Sequence, residues 1–140
     1  MQSKSKENII FIRFFEDEDI FEQLKETCEL NKVKTAVVLS GIGQIKQAQL
    51  GYFKGKGDYC PESFNKPLEI LTISGNICKQ KNNYIFHLHT VLSDDKKKAF
   101  GGHLLKGKIS VTAEIVLLKT MIDVERRFDT KTGLKTLYLE

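Results

Sequence analysis

Long apolar runs, paired cysteines and a large excess of one charge are all missing from this sequence of 140 residues. No apolar stretch approaches the length of a membrane span, so no membrane contact is expected. Residues 1–7 carry no signal-peptide core, and the expected location is cytoplasmic. Three cysteines, Cys28, Cys60 and Cys78, lie far apart without a C-x-x-C pair, which argues against a disulfide framework. Cys28 falls on a predicted helix and Cys78 on a predicted strand, where each reads as a small buried hydrophobe. Cys60 precedes Pro61 in a predicted loop and has no neighbouring basic cluster to activate its thiol. Lysine and arginine number 22 against 18 aspartates and glutamates. The resulting charge of +4 is mild and dispersed, unlike the focused basic surface of a dedicated nucleic-acid binder.

What is present is enough for one domain. With 41% hydrophobic residues, positions 1–140 can bury a core unaided, and residues 1–7 are expected to form a flexible tail. Asn8 to Phe15 reads as a strand. Acidic residues 16–19 then suit the positive end of a helix, and Ile20, Phe21, Leu24 and Cys28 recur at helical spacing, predicting a helix from Glu18 to Asn31. Thr35 to Ser40 reads as a buried strand, broken at Gly41-Ile42-Gly43 and resumed from Ala48 to Phe53. That Gly-x-Gly is not a dinucleotide fingerprint, because Lys46 replaces the third glycine and no helical pattern follows. Gly55 to Pro61 reads as a loop.

From Leu68 onward the pattern predicts strands joined by hairpins: Leu68–Ile77, Tyr84–Leu92, Lys108–Lys119, and a closing pair around Asp129–Gly133. Hairpin-length links make the sheet mainly antiparallel. The expected class is α+β, an antiparallel sheet flanked by few helices.

All three histidines lie between positions 87 and 103. His87-Leu88-His89 sits on a predicted strand, where side chains two apart share a face. His103 follows Gly101-Gly102, read here as a tight turn that lets the chain approach its neighbour. Three imidazoles on one side of an ion leave a fourth position open, as in many catalytic zinc sites. Imidazole suits several divalent transition ions, of which Zn2+ is the expected one. A cupin-like reading of H-x-H is disfavoured, since Thr90, Val91, Leu92 and Ser93 follow where a glutamate would be needed.

Several segments occur in an order that is familiar: Leu68-Glu69-Ile70-Leu71, Ser74-Gly75-Asn76-Ile77, His87-Leu88-His89, Gly101-Gly102-His103-Leu104 and Thr112-Ala113-Glu114-Ile115. Together they resemble the PPC domain, the plants and prokaryotes conserved domain also called DUF296, in its stand-alone prokaryotic form. The resemblance implies a compact α+β fold assembled as a homotrimer, and His87, His89 and His103 match the family's histidine positions. Plant members carry an AT-hook, an Arg-Gly-Arg-Pro arm for the A·T minor groove. Gln2 to Glu7 contain no arginine, so only weak nucleic-acid association is expected.

Three functions follow. The first is a trimeric binding or regulatory module with a three-histidine metal site. The second is a metal-dependent enzyme in which Glu114 or Glu69 serves as general base. The third is a DNA-associated regulator contacting phosphates through Lys96, Lys97 and Lys98. No serine nucleophile elbow, P-loop or H-E-x-x-H motif supports catalysis.

Overall fold

The computed structural model describes residues 1–139. Its elements are β1 (Gln2–Lys6), β2 (Ile9–Phe15), α1 (Ile20–Leu30), β3 (Thr35–Gly55), β4 (Asp58–Phe64), β5 (Leu68–Gln80), β6 (Asn83–Ser93), β7 (Ala99–Thr120), β8 (Glu125–Asp129) and β9 (Leu134–Tyr138). The α+β expectation holds: one short helix accompanies a seven-stranded antiparallel sheet and a separate β8–β9 hairpin. No helix among the described residues is long and apolar enough to cross a membrane.

The helix starts where a side chain can satisfy its free N–H groups. Asp19 is the N-cap, and its Oδ1 accepts from Phe21 N at 2.8 Å and Glu22 N at 3.1 Å. Ile20, Leu24, Thr27 and Cys28 form the buried stripe. Glu18, expected inside the helix, instead accepts from Phe15 N and pairs with the N-terminal amine of Met1.

That pairing goes with a correction. Residues 2–6 are not a flexible tail: β1 pairs antiparallel with β2, from Gln2 opposite Arg13 to Lys6 opposite Ile9. Its residues are all exposed, so no hydrophobic pattern marks it; the backbone hydrogen bonds define it.

The second correction concerns β3, which does not end at Gly41-Ile42-Gly43. It continues to Gly55, absorbing irregularities as bulges between Val38 and Ser40 and between Gly43 and Ile45. The third concerns β4, where a loop was expected. Only the turn before Asp58 is loop, and Cys60 and Pro61 lie in an edge strand opposite Tyr52 and Gly51. An edge tolerates proline because its missing N–H faces no partner.

The long strands close on themselves. β3 pairs with β7, β7 with β6, β6 with β5, and β5 again with β3. The buried side chains Ile45, Ile73, Leu88, Leu92, Leu104 and Ile109 fill the core face. On β6 the buried positions Leu88, Thr90 and Leu92 are even-numbered, so the odd-numbered ones, including both histidines, face away from the core.

Candidate metal centre

The centre arises from strand parity and register. His87 and His89 share the outer face of β6, and His103 on β7 is the register partner of His89. The three ring centroids lie 5.1–5.3 Å apart. One nitrogen from each ring lies within 4.8 Å of the others, and Nε2 of His87 is 3.2 Å from Nε2 of His89. Two nitrogens on a tetrahedral zinc ion sit about 3.3 Å apart, given bonds of about 2.0–2.1 Å. The first pair already matches that spacing, and His103 offers a nitrogen within 4.8 Å of those of the other two rings. A three-histidine site compatible with a divalent metal is therefore present.

Gly101-Gly102 contributes differently than expected. The hairpin turn lies earlier, where Asp94 Oδ1 accepts from the backbone N–H groups of Lys96 and Lys98. Both glycines are inside β7, opposite Val91 and Thr90. A Cβ at Gly101 would stand 2.5 Å from the Thr90 carbonyl oxygen, so the missing side chain permits close approach to β6.

Burial sets the protonation of two of the rings, His103 and His87. His103 is pushed down to about 4, chiefly by burial and then by His87, His89 and Arg126. His87 is lowered by burial, Arg126 and His89 in that order. Both rings are thus neutral near pH 7, the form that binds metal. The unfolded chain protonates these histidines near pH 6.5, whereas the folded one resists until lower pH. Stability of the metal-free protein should accordingly be level above pH 6.5 and fall as pH drops from 6.5 toward 4. Thermal midpoints measured across that range check this; a midpoint that rose on acidification would contradict it.

Arg126, which sequence reasoning missed, sits beside His87 on β8. It is 6% exposed. Its Nη2 donates to Asn76 Oδ1 at 2.7 Å and to His87 Nδ1 at 3.1 Å, and its Nη1 donates to the Lys135 carbonyl at 3.0 Å. A guanidinium has no acceptor, so Nδ1 of His87 must accept. The neutral ring then carries its proton on Nε2, facing His89. To offer Nε2 to an ion, the ring must carry that proton on Nδ1 instead, and the Arg126 N–H loses its acceptor.

The histidines open into a cleft of about 900 Å³, within the size range of small-molecule sites. Tyr59, edge-on to His103 at 5.8 Å, forms one wall, and residues of β9 form another. The two expected general bases are elsewhere. Glu69 is exposed and accepts from Gln44 Nε2 at 2.8 Å, and Glu114 is exposed opposite Arg13. Neither lines the histidine cleft, so neither is placed to take a proton there. Cys28 and Cys78 are buried as expected, the Cys28 thiol pushed up to about 12 by burial, while Cys60 is exposed on β4.

Known proteins share this fold. Residues 1–121 match the family described as the Plants and Prokaryotes Conserved (PCC) domain. The chain is similar to a metal-containing protein from Archaeoglobus fulgidus, with 28% identity, a TM-score of 0.83, and coverage of 99% of this chain and 97% of that one. It also resembles a protein from Bacteroides thetaiotaomicron provisionally described as DNA-binding, at 23% identity and a TM-score of 0.90, covering 98% and 96%. That second likeness shows the fold alone. Among curated proteins, 33% identity over 130 residues links it to the bifunctional protein GlmU of Synechococcus sp. (strain JA-2-3B'a(2-13)), covering 92% of this chain and 19% of that protein. The chain thus spans about a fifth of the length of the curated relatives it matches.

Proposed function

We propose, for a chain that belongs to the Plants and Prokaryotes Conserved family, a trimeric binding or regulatory module built on a divalent transition ion held by His87, His89 and His103. The convergence of three imidazoles at the floor of an open cleft carries this reading. Zn2+ suits an all-imidazole set with a vacant fourth position. When bound, the ion supplies a Lewis-acidic position to which a ligand oxygen can bind. The chain's own residues shape the rest: Tyr59 packs against His103, and Arg126 stands beside His87. With no carboxylate lining the cleft among the described residues, binding is favoured over hydrolysis.

The trimer rests on the outer face of the sheet. Register places Ile9, Leu118 and Val37 in one cross-strand row, and Phe11, Val116 and Ser40 in the next. Phe11 is 62% exposed and Val37 39%, a hydrophobic strip that further copies of the chain would cover. Light scattering should return three times the 16.0 kDa chain mass, and Phe11→Asp should shift it toward one. A monomeric parent protein would remove the trimer and leave the metal reading intact. Nucleic-acid contact, in this reading, is weak and salt-sensitive, made through the exposed Lys96, Lys97 and Lys98 at the β6–β7 turn.

A further inference from the structure

The guanidinium of Arg126 is the chemically unsettled part of the molecule. It is almost wholly buried, yet no carboxylate pairs with it among the described residues. Its hydrogen-bond partners are two neutral oxygens and an imidazole nitrogen, the uncharged Cys78 thiol lies beside it, and its Nε has no hydrogen-bond partner. Buried cations are ordinarily paired, because leaving water uncompensated is costly. Arg126 also lines the histidine cleft, where Lys135 stands beside it and no acidic residue is among the lining. An ion on the histidines would add further positive charge and, by moving the His87 proton to Nδ1, would deprive Arg126 of one acceptor. Such a site lacks an anion.

The remaining walls narrow the choice of anion. Phe53, Tyr59, Phe86, Leu134 and Leu137 line the same cleft, so most of an occupant's surface would meet apolar side chains. A planar guanidinium favours a planar two-oxygen partner.

We propose that the cleft binds a small organic carboxylate, its acid group on Arg126 and its apolar part against Tyr59, Phe86, Leu134 and Leu137. This inference rests on the metal-module reading for the ion's share of the attraction, and on Arg126 alone for the rest. The occupant is a monoanionic or dianionic acid of modest size, recognised by charge at one end and by packing at the other.

The test uses the full chain, with zinc content measured first and independently. Acetate, benzoate and succinate are screened by thermal shift against acetamide, benzamide and succinamide, in zinc-loaded and metal-free protein. The best acid is then titrated calorimetrically. At least one acid should bind saturably while its amide does not, and Arg126→Gln should weaken binding by about tenfold or more, as loss of a charge-assisted hydrogen bond implies. Arg126→Lys, which keeps the charge without the planar fork, should recover part of it; far-UV circular dichroism checks that both variants fold. If no acid binds, or if acid and amide bind alike, the inference is overturned. Unchanged acid binding in the folded Arg126→Gln variant overturns it too. Failure to take up zinc would sink the metal reading instead, and acid binding that depends on Arg126 in metal-free protein would still uphold this one.

Discussion

Replacing His103 by alanine should lower zinc affinity by about 100-fold or more, because losing a ligand costs at least as much as losing one of its supporting partners. The register explains the size of the effect. His103 stands directly opposite His89 and closes the triangle that His87 and His89 begin. Two imidazoles on one strand cannot replace it, and no other histidine exists in the chain. Competition with a chromophoric chelator measures the change. Stability reports it a second way: zinc at 100 times its dissociation constant adds about 2.7 kcal/mol to the parent protein and almost nothing to the variant. Without zinc the two should unfold alike at pH 7, apart from the packing His103 gives Tyr59. Full zinc binding by the variant would remove His103 from the site.

The second large effect should come from Gly75→Ala, at about 3 kcal/mol or more of lost stability. Gly75 has φ +142°, a region that L side chains rarely adopt. A Cβ there would fall on the carbonyl oxygen of His87, and its nearest neighbours are all β6 backbone, which leaves nothing soft to move. Relief would require β5 and β6 to separate where Asn76 lies opposite His87. Urea unfolding monitored by circular dichroism gives the loss, and zinc affinity should fall with it. A change below 1 kcal/mol would show that the two strands are not held together at this point.

Much of this is legible in the sequence, for physical reasons that also explain what is not. Side-chain parity is a property of any strand, so the two-residue spacing alone puts His87 and His89 on one face. The Ile20, Leu24 and Cys28 spacing locates the helix, and the apolar runs locate β5, β6, two separate parts of β3 and the second half of β7. Gly101-Gly102 reads as a turn because glycine serves both turns and close strand contacts, and sequence does not separate the two uses. β1 and β4 escape because their stability lies in backbone pairing to a neighbour, and their side chains are largely exposed. Arg126 escapes for another reason. It lies in a hairpin that register ties only to itself, and its approach to His87 is purely tertiary. The one local hint is a charge on a short strand, at the single position of β8 that is buried.

The closed ladder carries a consequence for how the molecule comes into being. Thr35 opens β3 and Thr120 ends β7, and these two residues are register partners. A chain emerging from the ribosome has therefore made all of β3 long before the strand that seals its free edge exists. Until Thr120 is out, Val38, Ile45 and Leu50 have no complete core to join. Such late, distant pairing is expected to make refolding slow for so small a chain, on the order of milliseconds to seconds. It also leaves an apolar strand waiting in water during synthesis, the kind of segment that chaperones hold. Fragments ending before β7 should aggregate where the full chain does not.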